Sequence, residues 1–405
     1  MRAFALAGFV AGSIATLASG IALAEQEAAL TPALPPPQET PAPTVPPWLG
    51  LVKLEAFVDA YASVNYNFPK PETGKNVYRA FDDTNGFALH WVGVNATVAP
   101  DPVGATLSLR FGRGALLYNA SDAAAGLVNV KQAYASWKPL GKGTKLTVDF
   151  GKFDSPYGSE LADSQYDINY TRSFLYWLAQ PLFFTGLRAD YAFTDAVDLK
   201  VVAVNGWNGS IDVNRGKSLG AQLSVKPIDT LLLALGYLFG AEQADYDPGA
   251  PAVGATPARP PSNVPGASSR LRHLVDLVVD FAITPELRAL FNADYGRETL
   301  TALTAEWYGA NVAVKYAFTN ELSAALRGEW YRDADGFTML TGQPTTLLSG
   351  ALTLGYSPTP NLIVKLEQRV DAAATRDDIA LFPRGALDAA KTQSTTTLGV
   401  VATTN

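Results

Sequence analysis

FTNELSAALRGEWY, residues 318–331, places Leu322, Ala324, Leu326 and Trp330 on one parity and Ser323, Arg327, Glu329 and Tyr331 on the other. Successive side chains of an extended strand point to opposite faces, so this segment has one apolar and one charged face. The split recurs in SPTPNLIVKLEQRV (357–370), where Leu362, Val364 and Leu366 oppose Lys365, Glu367 and Arg369. Over 271–281, Val275, Leu277, Val279 and Phe281 oppose Arg272, Asp276 and Asp280.

The connectors say which kind of sheet this is. Short ones, at 100–102, 139–144, 193–198, 226–230, 283–287, 318–322 and 357–361, alternate with long polar stretches rich in Gly, Asp, Asn and Pro. Tight turns on one side and long loops on the other mark a transmembrane antiparallel β-barrel of the outer-membrane type, and a soluble sandwich has no reason to sort its connectors so. In such a barrel the charged parity faces a wet lumen, because Arg or Lys at the lipid midplane costs about 2–4 kcal/mol.

Sixteen strands are expected, at 53–66, 86–99, 103–112, 128–138, 144–153, 183–193, 198–206, 217–226, 230–239, 271–283, 287–296, 306–318, 321–331, 347–357, 361–370 and 394–402. Seven short turns and eight long connections follow. An even count puts both barrel ends on one side, expected to be periplasmic, with the long loops extracellular. A barrel of about sixteen strands leaves an aqueous channel, whereas a small one fills with side chains.

Residues 1–24 carry Arg2, an apolar run and Ala22-Leu23-Ala24, the pattern of a cleaved secretory signal peptide. Residues 25–50 are Ala/Pro-rich without periodicity and read as a solvated periplasmic linker, leaving 51–405 for the barrel. Losing Arg2 takes the formal net charge from -7 to -8, which argues against nucleic acid as a partner. With no cysteine there is no disulfide and no thiolate metal site. Tyr191 and Phe193, Tyr237 and Phe239, Tyr316 and Phe318, Trp330 and Tyr331, and Tyr356 fall where strands meet connectors, as two interfacial girdles would.

The third long connector, DSPYGSELADSQYDINYTRSFLYWLAQP (154–181), is the candidate for a loop folded into the lumen, with Asp154, Glu160, Asp163, Asp167 and Arg172 as constriction charges. The alternative is a solvated external loop. Lumen-facing candidates are Arg110, Arg188, Arg272, Asp276, Asp280, Arg327, Glu329, Lys365, Glu367 and Arg369. Glu160, Asp163 and Asp167 argue for a modest cation preference, and the arginines along the wall argue against it. Asp82-Asp83 and Asp377-Asp378 have the chemistry to hold divalent cations at the cell surface, but as charge pairs in loops they are expected to be solvated.

GKFDSPYGSE (151–160), NYTRS (169–173), PLFFTGLRADY (181–191) and VNGWN (204–208), in that order, resemble the OmpL-like β-barrel porin family. The block covers less than a fifth of the chain. Gly151, Phe153, Pro156, Gly158 and Glu160 match its strand-to-loop element, and Arg172, Gly186, Asn205, Gly206 and Trp207 match the later ones. The resemblance implies an outer-membrane, porin-like barrel whose transported solutes are generally unassigned; no cofactor and no metal are expected. Its expected partners are outer-membrane lipid, the barrel assembly machinery, small hydrophilic solutes or ions and, as an allowed arrangement, further copies of the chain in a trimer. Barrels of this kind commonly end in an aromatic residue read by the assembly machinery, and TLGVVATTN (397–405) departs from that. The four glycines are expected to permit bends and positive φ where strands leave the wall.

Catalysis finds little support. His90 and His273 are the two histidines, His273 being the one candidate base, on the lipid-facing parity near the outer rim. The GRG at 112–114 is expected to lack the helix that a phosphate loop needs. The expected function is a Gram-negative outer-membrane porin for passive diffusion. The alternative is a structural or surface-binding barrel without an open pore.

Overall fold

The computed structural model describes residues 50–70, 75–139, 143–247 and 261–404. The expected signal peptide and almost all of the linker lie outside the described residues. Sixteen antiparallel strands close into one barrel: β1 (Val52–Asn65), β2 (Gly86–Val98), β3 (Val103–Phe111), β4 (Val130–Trp137), β5 (Leu146–Asp154), β6 (Phe183–Ala192), β7 (Val197–Val204), β8 (Ser218–Ile228), β9 (Leu231–Ala241), β10 (Leu271–Ala282), β11 (Leu287–Thr299), β12 (Thr304–Ala317), β13 (Leu322–Asp333), β14 (Thr345–Thr359), β15 (Leu362–Thr375) and β16 (Thr392–Thr403). Each strand pairs with its sequence neighbours, and β1 pairs with β16 from Phe57↔Thr403 to Asn65↔Thr395, so no edge is left open. Val52 and Thr403 both lie at the end that holds the short turns, as an even strand count requires.

Local chemistry fixes the turns. In TPEL (284–287) the Thr284 hydroxyl accepts from the amides of Glu286 and Leu287. In TNEL (319–322) Thr319 does the same for Glu321 and Leu322, at 3.1 and 3.0 Å. A hydroxyl that bonds its own backbone two and three residues on imitates a turn and ends the strand there.

The faces follow the parity. On β13, Leu322, Leu326 and Trp330 point outward, Leu326 being 63% exposed, while Arg327, Glu329 and Tyr331 are buried inside. Tyr331 therefore leaves the expected girdle; it packs with Met339 and Leu347 in the barrel interior. The other girdle residues do face outward.

Two connectors depart from expectation. Between β11 and β12 the ladder runs up to Thr299↔Thr304, so the sixth of the eight long connections is a tight turn at 300–303. After GRG a short helix, α1 (Arg113–Tyr118), does form, but it buries Gly114, Ala115 and Tyr118 within the barrel mouth and is too short to act as a phosphate loop. No helix among the described residues is long and apolar enough to cross a membrane.

The interior differs most from the expected water-filled channel. At the loop end, Phe81, Trp91, Tyr118, Tyr176 and Phe183 form one apolar cluster, and Phe174, Leu175, Trp307, Tyr331, Met339 and Phe382 form another. Trp91 reaches the first through a register shift at Asp59/Ala60 that turns both His90 and Trp91 inward.

The loop seated in the lumen

Residues 155–182 between β5 and β6, loop L3 below, enter the barrel rather than cover it. Two paired glycines shape the exit. Gly151 on β5 lies opposite Gly186 on β6, with φ of 140° and 158°. A Cβ on either would meet a backbone oxygen of the next strand, Ala133 O at 2.2 Å or Ala203 O at 2.3 Å. They thus act inside the strands, short of where the chain leaves the wall.

L3 is fastened to strands around much of the barrel. The Arg327 guanidinium (β13) donates to Glu160 Oε1 at 3.0 Å, to Thr171 Oγ1 at 3.1 Å and to the Thr171 carbonyl. Arg369 (β15) donates to the Arg172 carbonyl at 2.6 Å, and Lys365 (β15) to the carbonyls of Ser164 and Asp167 at 2.7 and 2.6 Å. Glu367 accepts from Tyr170 N at 2.7 Å, and Glu329 from Phe174 N at 2.6 Å. Across the barrel, Arg110 (β3) grips Asp163 with two bonds of 3.0 and 2.9 Å, and Tyr170 donates to Asp59 (β1) at 2.8 Å. Trp307 Nε1 donates to the Ala179 carbonyl at 3.0 Å and Gln222 to that of Pro156 at 2.6 Å.

The constriction candidates are therefore inside the barrel, and all are engaged. Asp154 takes Tyr118 OH at 2.7 Å and pairs with Lys131. Asp167 pairs with Arg172 at 3.1 Å, and Arg172 also caps the Leu161 carbonyl at 2.8 Å. Burial alone would raise the Asp163 carboxyl, but Lys131 and Arg110 outweigh it and hold it well below the ordinary carboxylate range. The remaining wall candidates also face inward. Arg188 pairs with Asp149 at 2.7 Å, Arg272 bonds Glu298 at 2.7 Å and lies over Trp207, and Asp280 pairs with Arg288 at 2.6 Å. Asp276 is fully buried and accepts from Gly158 N at 3.1 Å.

The earlier family-motif residues serve the same seat, and the later ones order the connectors after β7 and β9. Phe153 is buried, Pro156 and Gly158 supply the contacts above, Asn205 holds Ser210 O at 3.2 Å, and Trp207 N donates to Glu242 at 2.8 Å just after Gly206. Asp82 and Asp83 are not solvated: the first pairs with Arg79, which also bonds Asp371 at 2.9 Å, and the second with Arg113. Residues 79–83, between β1 and β2, thus fold inward too. Asp378, by contrast, is an exposed loop charge. Sequence reasoning missed Asp59, Lys131, Arg79 and Asp371. The signal was present for Asp59 and Asp371, which fall on the inward parity of β1 and β15, whereas Lys131 is turned inward by a register shift at Ser108/Leu109 that parity does not announce.

L3 does not fill the bore evenly. Ile168 leans on an apolar stretch of inner wall, Ala234, Val278, Leu290, Ala313 and Ala325 on β9–β13. Facing β1–β5 it leaves a polar cavity of about 340 Å³, lined by residues that include Lys53, Glu55, Asn95, Thr106, Arg110 and Tyr166. Among the described residues no group of three or more His, Asp or Glu gathers in the manner of a metal centre. His273 Nδ1 bonds the Tyr237 hydroxyl at 2.8 Å and its ring stacks on Phe239, as a girdle residue.

The fold is that of known outer-membrane channels. The channel DcaP of Acinetobacter baumannii superposes with a TM-score of 0.57 at 13% identity, covering 87% of this chain and 96% of that one. OmpT of Vibrio cholerae gives 0.56 at 10%, covering 87% and 97%, and OprB of Pseudomonas putida 0.55 at 16%, covering 87% and 94%. Among curated proteins none matches the sequence. The family described as "Putative beta-barrel porin-2, OmpL-like" matches residues 51–403, nearly the whole barrel with the L3 block inside it, and the chain belongs to that OmpL-like porin family.

Proposed function

We propose that this chain is a narrow-bore diffusion channel of the outer membrane for ions and small hydrophilic solutes, with no chemical step. The observation that carries the reading is the seating of L3: a loop held inside the lumen by buried ion pairs from opposite walls narrows a sixteen-stranded barrel while leaving a polar cavity along β1–β5. Because Glu160, Asp163 and Asp167 are each paired with a cation, they neutralise wall charge rather than attract ions, so the charge preference is weak. The turn end faces the periplasm in this reading, the assembly machinery inserts the barrel, and a trimer is its working assembly. That OmpT of Vibrio cholerae has been described in a trimer form supports the last point.

Apolar packing at the loop end favours a second reading, a barrel that anchors or binds at the surface without an open pore. Single-channel recording of the purified, folded protein in a planar bilayer decides between them. Small, steady steps are expected, and a folded barrel that never conducts would discard the channel.

A further inference from the structure

On β10 and β11, Asp276 and Asp294 stand directly across from one another, both inside the barrel and 0% and 4% exposed. The two residues occupy facing positions of one strand pair, with both side chains on the inner face. Like charges opposed across a strand pair repel, and buried carboxylates in proteins are paired with cations or coordinate metals. Most of the other buried acids cited above have such a partner, and Asp59 and Glu367 accept instead from hydroxyl and amide donors on L3. Asp276 and Asp294 differ from both sets: no described Lys or Arg forms an ion pair with either, and Asp276 Oδ2 and both oxygens of Asp294 have no hydrogen-bond donor. Asp276 Oδ1 accepts from Gly158 N at 3.1 Å and from Asn292 Nδ2 at 2.9 Å, so that oxygen is fixed and the other three are free.

A second orphan adjoins them. Asn311 on β12, 2% exposed, faces Asn292 across the next strand pair and lies one rung from Asp294. Its Nδ2 has no partner. Turned over, the same amide presents an oxygen, and which way a side-chain amide points is settled by what it meets.

We propose that Asp276 and Asp294, with the Asn311 amide oxygen, bind one divalent cation, Ca²⁺ by its preference for carboxylate and amide oxygens. The site lies at the seam between wall and loop, since Gly158 belongs to L3, and the cation stiffens that seam. Two carboxylates make a weak site, with Kd on the order of 10⁻⁴–10⁻³ M as in extracellular Ca²⁺ modules. The inference does not depend on whether the barrel conducts.

The test is Ca²⁺ titration of the folded barrel in detergent, followed by the midpoint of heat unfolding and by equilibrium dialysis of ⁴⁵Ca²⁺. Wild type is expected to bind one ion per chain and to unfold at higher temperature with Ca²⁺ than with EDTA. Asp294→Asn is expected to weaken binding at least tenfold, and Asp276→Asn carries the same test if that variant does not fold. Asp378→Asn, at an exposed carboxylate, controls for surface binding and is expected to change nothing. A midpoint indifferent to Ca²⁺ would overturn the site and leave the two acids sharing a proton. So would a Ca²⁺ response of equal size in both buried-site variants.

Discussion

Replacing Arg327 by Met tests whether L3 is held from the wall. Its guanidinium is 1% exposed and gives L3 bonds to Glu160, Thr171 Oγ1 and the Thr171 carbonyl, with Glu329 3.7 Å from Nε. Methionine keeps much of the volume but strands Glu160 and frees the Thr171 carbonyl. Breaking a buried ion pair from one side costs about 3–5 kcal/mol, because the remaining charge stays uncompensated. At about 1.4 kcal/mol per decade, the ratio of seated to unseated L3 falls by roughly two to three and a half decades. The barrel is spared, since Ala313↔Arg327 and Arg327↔Ala351 are backbone pairings that the side chain does not touch. Arg327→Met is therefore expected to form a barrel of normal heat stability, to show larger and noisier conductance steps, and to become cleavable by trypsin at Arg172, which is 3% exposed when L3 is seated. Arg288→Met removes an ion pair whose Arg is 47% exposed, worth about 0–1 kcal/mol, and serves as the control. A folded Arg327→Met barrel with wild-type conductance and an uncut L3 would refute the reasoning.

Three further outcomes are expected. Leu326→Arg, one residue away but on the lipid face, should cost about 2–4 kcal/mol and reduce insertion into vesicles, whereas insertion equal to that of wild type would reverse the face assignment. The Asp163 anchor follows a depressed carboxyl: its stability is present above the unfolded pKa of about 3.9 and is lost only as pH falls through the lower folded value, so it should not respond between pH 7 and pH 4.5, whereas Asp167, which burial raises to about 7, titrates in that window; a conductance change there should vanish in Asp167→Asn, and one that Asp163→Asn abolishes would contradict the assignment. The chain lacks cysteine, so single thiols report topology: Leu387→Cys, fully exposed in the loop after β15, should label on intact cells and Asp195→Cys, in a short turn, only after permeabilisation, and the opposite pattern would invert the barrel.

The sequence by itself determined the barrel, its sixteen strands and the face of each, because period two and the alternation of short and long connectors are local signals that lipid on one side and water on the other impose on every strand. It also pointed to L3 and to the inward charges of β13 and β15. What it could not supply was the pairing between distant segments. Arg327 with Glu160, Lys365 with the carbonyls of 164–167, and Arg79 with Asp371 join residues far apart in the chain, and their alignment depends on closure of the barrel. For the same reason Glu160, Asp163 and Asp167 read as free charges in sequence and are neutralised in the structure. Tyr331 reads as a girdle aromatic, yet it packs inside the loop end of the barrel, as Trp91 does, since packing there is decided by which loops meet inside the barrel. The sixth connector is short because β11 and β12 keep pairing through Thr299↔Thr304, an extension that polar composition does not announce. Periodicity assigns a residue to a face; only tertiary structure assigns it a partner.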